Sequence, residues 1–551
     1  SPSWPRRVTP PMPTLRKNSY ARYLAPAVLS LAWALSPAQA FSPQADTPPS
    51  TRWPLITKPL EIPASQGPAL GSNDFTLTLW LKADDTGDLP TGDLLSRYDP
   101  ATRRGFHLTL KSSAGVTSSQ PNHRHLQFGI DDSHASPWQN HGQPGNALLA
   151  FALATHAGSL YAGTCEPGPG QSGRVYKHAG ETIWTDCGAP DGSNTVTALA
   201  EHQGKLYAGT GRYRLAGSSL PESPNQTLGG RVFRYEGGTT WTDCGRLPDT
   251  EAIGGLVTFR GRLHASSLYR PAGFFRLEQN GSWTTLPVPQ GMANDKQEPK
   301  RPVALTVHEG AVLAGSYDGG HVHRWNGTTW TDLGQLGNNT QTYSFAHHRG
   351  QLHVGTWPSG RVYRLDTKTP GTPVWTDIGR LGDELEVMGM LVHNGRLIAG
   401  TLPLAEVYSH EGGTTWKKLA RLDHTPEVKY RRAWTMAEQA GRVFCSTLPS
   451  GKVWSWSAGH QVTWDHSFPT GWHHVAAIRT RDRLRLFIDG KPVAEAKDPA
   501  IAHWNLDTNT PLRLGTGENG PMHGVMRQVQ IHTTELSDSD LAKLAKVPPT
   551  D

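Results

Sequence analysis

Between about Ala147 and Trp456 the chain alternates short apolar runs with Gly, Asn and Asp, and the pattern keeps returning. One copy reads Ala198-Leu-Ala-Glu-His-Gln-Gly204-Lys-Leu-Tyr-Ala-Gly209-Thr210, then Gly230-Arg-Val-Phe-Arg-Tyr235, then Gly238-Thr-Thr-Trp241-Thr-Asp243-Cys-Gly245. The glycine before the second run recurs as Gly158, Gly204, Gly261, Gly310, Gly350, Gly395 and Gly441, at intervals of 40 to 57 residues. Each copy holds four β-rich runs, the sequence form of a four-stranded propeller blade. Seven copies, numbered here repeats 1 to 7, predict a seven-bladed β-propeller.

Aligned on those glycines, the first run carries a column of small residues: Ala152, Ala198, Gly255, Ala304, Ser344, Gly389 and Thr435. The next column is large and apolar: Leu153, Leu199, Leu256, Leu305, Phe345, Met390 and Met436. Alternating size with period two predicts the strand nearest the axis, where neighbouring blades converge and side chains must be short. Both columns are structural.

Outside the repeats the pattern changes. Phe75-Thr-Leu-Thr-Leu-Trp80-Leu alternates strictly, and Leu94-Leu-Ser-Arg-Tyr, Gly105-Phe-His-Leu-Thr-Leu-Lys and His125-Leu-Gln-Phe-Gly-Ile-Asp follow at close spacing. These predict half of a β-sandwich. The other half comes after the repeats: Gly471-Trp472-His-His-Val-Ala-Ala-Ile478, a hairpin turning on Asp489-Gly490, Pro511-Leu-Arg-Leu-Gly-Thr, and Gly524-Val-Met-Arg-Gln-Val-Gln-Ile531. A helix capped by Ser537 closes the chain. Trp80 and Trp472 are expected in one sandwich core. His473-His474 reads as core packing and one exposed imidazole rather than a ligand pair.

The text Phe75-Thr-Leu-Thr-Leu-Trp80-Leu-Lys, Trp472-His-His-Val-Ala, Leu486-Phe-Ile-Asp489-Gly490 and Ile531-His-Thr-Thr-Glu-Leu536-Ser resembles the LamG-like jellyroll domains of the concanavalin A-like lectin and glucanase superfamily. The calcium-binding acidic loop of some relatives is not recognisable, and Arg527 stands where an Asp is common. Tyr235-Glu236-Gly-Gly238-Thr-Thr-Trp241 and Ser409-His-Glu411-Gly-Gly413-Thr-Thr-Trp416 resemble the Asp-box turn of sialidase-type propellers, with Glu for Asp. That resemblance implies a folding element away from any active site. The repeats are also similar to kelch-type blades, without the kelch double-glycine pattern.

The fold class expected is therefore all-β, a seven-bladed propeller inserted into a split concanavalin A-like β-sandwich (jellyroll). Its divisions are 1–40 signal peptide, 51–136 and 458–547 jellyroll halves, and 137–457 propeller. Repeat 7 lacks a clean Trp-Thr-Asp run, and Pro137-Trp138-Gln-Asn-His-Gly142 precedes repeat 1. Pairing 137–142 with 452–456 would close the ring and remove its open edges. Val462-Thr-Trp464-Asp is the rival closing strand.

Composition changes this picture little. With 59 Gly and 43 Pro the chain is turn-rich, as an all-β protein should be. The net charge of +6 arises largely from Arg6, Arg7, Arg16, Lys17 and Arg22, with no acid before residue 41. Neither a nucleic-acid footprint nor a polybasic membrane patch remains after that subtraction. The order of basic stretch, apolar run from Tyr23 to Leu35 and Ala38-Gln-Ala40 matches a cleaved export signal too short to span a bilayer. A secreted, periplasmic or cell-surface location follows. Of Cys165, Cys187, Cys244 and Cys445, the pair expected to bridge is Cys165 with Cys445, on second strands that ring closure makes neighbours. No tight Cys/His cluster suggests zinc, and no metal or cofactor is assigned.

Candidate chemistry sits at one end of the ring. Nine residues before the anchors stand Leu149, Thr195, Ala252, Arg301, Gln341, Glu386 and Arg432, polar in repeats 4 to 7. Loops after second strands add Arg212-Tyr213-Arg214, Tyr269-Arg270, Tyr317-Asp318 and Trp357. Arg301, Gln341, Glu386 and Arg432 are expected to face the axis at a water-filled mouth rimmed by Tyr317, Asp318 and Trp357. Aromatic platforms beside charged groups suit a sugar. The competing view of the same residues is inter-blade salt bridges among solvated loops. A sialidase-like site could cast Arg301, Arg432, Glu386 and Tyr343, but no spacing enforces those roles, and the flanks lack the acid cluster of a glucanase.

Function is read as recognition of a glycan or a cell-surface protein. A glycan-cleaving hydrolase or lyase and a non-catalytic scaffold are the alternatives. N-terminal sequencing of exported protein should begin at Phe41; a mature chain retaining Leu24 would contradict the export reading.

Overall fold

The computed structural model describes residues 50–549, apart from 91, 114–121, 292–297 and 367–370. The export signal lies outside the described residues. Repeat 2 shows the common plan: Thr195–His202, Lys205–Gly211, Arg231–Gly237 and Thr240–Arg246 pair antiparallel in that order. The anchor glycine is the second residue of the tight turn between the first two strands. Gln203 and Gly204 both take positive φ, 49° and 72°, which a type I′ hairpin requires. The second-strand glycines answer a different need. A Cβ on Gly163 would stand 2.7 Å from Val196, and one on Gly209 would stand 2.8 Å from Ile253. Each of those glycines lets the next repeat's first strand approach.

The repeated tryptophans tie successive repeats together. Trp241 Nε1 donates to Cys187 O at 2.8 Å, Trp283 to Cys244 O at 2.8 Å, Trp375 to Leu333 O at 2.8 Å and Trp416 to Ile378 O at 2.9 Å. Each bond runs from one repeat's fourth strand to the fourth strand of the repeat before it or, for Cys187, to the residue just after that strand. A half-buried amide carbonyl thereby gains a partner that water would otherwise supply. Trp184 of repeat 1 donates in the same way to His141 O, at 2.8 Å. His141 follows Gln139–Asn140, the strand that pairs with Val453–Trp456 of repeat 7. Trp138 stacks on Trp456 with ring centroids 5.8 Å apart, while Trp464 belongs to a flanking sheet, paired with Leu126. The first strand of repeat 7, Arg432–Gln439, also packs on that of repeat 1, Leu149–His156.

The flanks form two six-stranded sheets, and each mixes strands from both ends of the chain. Phe75–Ala83 pairs with Trp472–Arg479 in the register Leu77↔Ala477, and Asn122–Ala135 pairs with Ala458–Trp464. Phe75, Leu77, Leu79 and Leu81 face a core shared with Leu108, Phe128, Val475 and Leu486. Trp80 is buried too, but on the opposite face of its strand, edge-on to His474 at 5.4 Å. Trp472 lies opposite Lys82 on that same outer face, under Arg527. The expected Trp80–Trp472 core is therefore corrected: period-two alternation assigns the leucines inward and both tryptophans outward. Of the pair read as core packing and one exposed imidazole, His474 is buried against Trp80 on the outer face rather than in the shared core, and His473 is half-buried, 2.8 Å from Asp489. The helix Asp538–Leu544 is capped by the Ser537 side chain, which accepts from Asp540 N. Among the described residues, no helix is long and apolar enough to cross a membrane.

The expected Cys165–Cys445 bridge is not formed; all four cysteines are free. Cys165 turns into an apolar cluster with Leu149 and Trp434, whereas Cys445 turns toward Leu391, Ile398 and Trp456. The two thiols face different packing layers.

A buried polar group joins the flanking sheets to the repeats. Lys111, from the strand Arg104–Ser113, donates to Glu438 at 2.7 Å, and Glu438 also holds His393 Nδ1 at 2.7 Å. Burial by itself would raise the Glu438 carboxyl, but the Lys111 ammonium and the His393 hydrogen bond bring it down to about 2. A carboxyl depressed on folding contributes stability that is fully present above its unfolded value, 4.5, and is lost as pH falls through 2. Glu438→Gln strands the buried ammonium and should cost about 3–5 kcal/mol at pH 7 in denaturant unfolding. The gap to wild type should narrow as pH approaches 2; a gap independent of pH would contradict the pairing.

Candidate functional site

A cavity of about 430 Å³ opens where the first strands begin. Gln341, Glu386 and Arg432 are the first residues of their strands, so strand register sets all three at one end of the ring. Tyr343 and Trp434 follow two positions later on the same strands. β-Bulges interrupt these strands at Thr342/Ser344, Val387/Met390 and Ala433/Met436, re-aiming the residues at the mouth relative to those deeper in the ring. Tyr317, Trp357 and Tyr430 come from the loops and strand ends beside them.

Of the seven residues expected at the mouth, Tyr317, Gln341, Trp357, Glu386 and Arg432 line the cavity. Arg301 and Asp318 do not. Arg301 clamps Asp318 through Nε at 3.0 Å and Nη2 at 2.9 Å, and Asp318 also takes Arg270 Nη2 at 2.8 Å. The Arg301 guanidinium lies 5.8 Å from the Tyr317 ring, behind the lining rather than in it. Here the salt-bridge view of these residues describes their geometry better than the expected axial pair of arginines.

The deepest charges are also paired. Arg432 Nε donates to Glu386 Oε1 at 3.0 Å; the two side chains are 8% and 1% exposed. Burial opposes the Arg432 charge, but the Glu386 carboxylate more than compensates and holds its pKa above the ordinary value. Arg432 also donates to Ser218 Oγ, on a short turn of the long repeat 2 loop, so that loop reaches across the mouth to repeat 7. Glu222 braces the turn by accepting from Leu215 N at 3.1 Å and Ala216 N at 2.9 Å. The mouth is thus partly covered from repeat 2, and not the open polar ring expected from repeats 4 to 7.

Aromatic rings supply the walls. Arg432 stacks 5.3 Å from Trp434, whose indole donates to Phe151 O at 2.9 Å. Tyr317 and Tyr343 lie 4.9 Å apart, and Trp357 meets Tyr430 edge-on at 6.2 Å. Burial, followed by the Glu386 charge, pushes the Tyr317 and Tyr343 phenols above their usual value. They stand protonated as hydrogen-bond donors, the opposite of a phenolate poised to attack. Tyr343 already donates to Gln341 Oε1.

Tyr430, Trp434, Phe151 and Glu222 escaped sequence reasoning as members of the lining. For Trp434 the signal existed, since it stands two positions after Arg432 on a strand. Phe151 holds the same place after Leu149, whose apolar character drew attention away from repeat 1.

Residues 415–542 match the family described as the concanavalin A-like lectin/glucanases superfamily. That span begins within repeat 6 and covers the C-terminal flank. No curated protein matches the chain by sequence. Among solved structures, a catalytically inactive virginiamycin B lyase from Staphylococcus aureus with quinupristin is similar over 59% of this chain and 99% of its own, at 9% identity and TM-score 0.44. The WD40 β-propeller domain of Doa1 is similar over 58% and 97%, at 12% identity and TM-score 0.40. Sqt1 from Saccharomyces cerevisiae is similar over 60% and 99%, at 13% identity and TM-score 0.36. These likenesses concern the propeller-type fold alone.

Arg432→Ala leaves Glu386 charged and buried, and should destabilise the protein by about 3–5 kcal/mol. Replacing both, Arg432→Met with Glu386→Leu, should recover most of that loss. Two losses that simply add in chemical denaturation would contradict a coupled pair.

Proposed function

We propose that the chain is an exported recognition protein that binds a glycan at the propeller mouth. The carrying observation is the 430 Å³ cavity, walled by Tyr317, Tyr343, Trp357, Tyr430 and Trp434 and floored by the Glu386–Arg432 pair. Sugar rings present C–H faces that stack on aromatics and hydroxyls that need fixed donors and acceptors. Gln341, the Tyr317 phenol and the rim of the ion pair supply such groups. Trp357 and Tyr430, set at right angles, offer a corner for one ring. The reading rests on a seven-bladed propeller, 137–457, inserted into a split jellyroll whose halves are 51–136 and 458–547. Strand pairing between the two flanks and closure of repeat 7 by Gln139–Asn140 support that arrangement. Export follows from the segment 1–40.

Binding is favoured over cleavage by the state of the acids. Glu386 is committed to Arg432, and Glu222 to two backbone amides of its own loop. Glycoside hydrolysis uses two carboxyl groups flanking the scissile bond, one of them able to give up a proton. Both mouth acids here already serve as acceptors in the fold.

Screening the intact chain on a glycan array should identify a ligand class, and Trp357→Ala should weaken binding to it by roughly tenfold, about 1.4 kcal/mol, with unfolding unchanged. Arg301→Ala, behind the lining, should leave affinity nearly intact. Undiminished binding by both Trp357→Ala and Tyr430→Ala would move the site away from the mouth.

A further inference from the structure

In repeats 1, 2 and 5 an arginine at the start of the third strand, or just before it, salt-bridges the aspartate of the fourth strand. Arg174 meets Asp186 at 2.7 Å, Arg231 meets Asp243 at 2.6 Å, and Arg361 meets Asp377 at 2.7 Å. Two positions on, directly opposite that aspartate, stand Tyr176, Phe233 and Tyr363. Repeat 4 keeps the aspartate and changes both partners. Its third strand, His321–Trp325, places His321 where the arginine stands and His323 opposite Asp332 of Trp330–Gln335. A cation that cannot bind metal and an aromatic ring are thus both replaced by imidazoles, on the same face of one strand and beside a carboxylate.

The side chains converge. His321 Nδ1 lies 2.9 Å from each Asp332 oxygen, His323 Nε2 lies 3.8 Å from Oδ2, and one ligand atom from each residue falls within 4.8 Å of the other two. The two imidazoles are near-parallel, 17° between planes. His323 is 1% exposed, yet neither of its ring nitrogens has a hydrogen-bond partner. Its counterpart in repeat 1 has no such deficit, because Tyr176 donates to Glu166 at 2.9 Å. Buried polar atoms are nearly always satisfied, and one left unsatisfied beside two more metal-ligating groups points to an absent partner. Asp332 is 41% exposed and His321 23%, so the group is reachable from solvent.

We propose that His321, His323 and Asp332 bind a divalent metal ion of the zinc class, with the remaining coordination positions open to water. Two imidazoles and one carboxylate are ligands that zinc takes, and three protein ligands with a position left to water is the pattern of an open zinc site. Zinc bonds of about 2.1 Å separate tetrahedral ligand atoms by roughly 3.4 Å, so to take the ion His323 would close slightly on Asp332 while His321 Nδ1 drew back from its 2.9 Å contact with the carboxylate. The Lys300 ammonium, 3.6 Å from Asp332 Oδ2, is the charge a metal must displace. The ion would pin the third strand of repeat 4 to the fourth, as the Arg–Asp pairs do in repeats 1, 2 and 5. It lies on the outer strands, separate from the mouth and independent of what binds there.

The test uses the untagged full chain, stripped by chelator and titrated with Zn²⁺ by calorimetry and with Co²⁺ by visible absorption. Wild type should take up one equivalent of Zn²⁺ tightly, and Co²⁺ should give the intense bands of a low-coordinate site. His321→Arg with His323→Tyr installs the side chains of repeats 1 and 5, and should abolish that equivalent while leaving metal-free thermal unfolding unchanged. Lys300→Gln should tighten binding severalfold. If the double variant does not fold, the half-exposed Asp332→Asn carries the same test, with a loss of at least tenfold expected. Absence of a stoichiometric equivalent in wild type, or its survival in the double variant or in Asp332→Asn, overturns the proposal.

Discussion

Ser136 and Ser457, 321 positions apart, hold the chain together where the repeats leave and rejoin the flanking sheets. Ser136 N donates to Ser457 O at 2.8 Å, and Ser457 N donates back to Ser136 Oγ at 2.9 Å. One step further, Ala135 pairs with Ala458 and the two strands continue together into the flanking sheet. Departure and return are therefore neighbours. That constraint lets two sheets, each with strands from both ends of the chain, pack around a shared core, and it places Trp138 beside Trp456 so that the repeats close on themselves. A sheet edge left open in either unit would expose unpaired backbone groups.

Closure also explains how the mouth is held. The indole-to-carbonyl bonds between fourth strands run through the repeats and back to His141, each a net contribution of about 0.5–1.5 kcal/mol. The second-strand glycines let the first strands approach closely near the axis. Residues at the starts of those strands are consequently carried on rigid elements from several repeats, and Glu386 and Arg432 meet although 46 positions separate them. The repeat 2 loop is the adaptable part, reaching over the mouth through Ser218.

Much of this was legible in the chain. The anchor glycines mark turns with positive φ, and the run at 137–142 read as a closing strand because repeat 7 lacked one. What failed to show were facts of direction. Trp80 reads like a core residue by type, but its neighbours Leu79 and Leu81 take the inner face. Cys165 and Cys445 sit on adjoining repeats yet face different layers. Arg301 occupies the same alignment column as Arg432, but Asp318 captures it before it reaches the cavity. Ser218 contacts Arg432 across 214 positions, a pairing no local pattern announces. His321 and His323 were in plain view, and only the register opposite Asp332 gave their spacing chemical meaning.

The central claim is that two distant chain segments make one domain that the repeats merely interrupt. Excising 137–456 and joining Ser136 to Ser457 through an Asn-Gly turn tests it, since that dipeptide suits the hairpin the two strands would then form. Calorimetry of the shortened protein should show one cooperative unfolding transition, with Leu77 and Ala477 amides protected from exchange together. A non-cooperative melt with no protected amides would mean that the flanks need the repeats in order to fold, and would contradict the account.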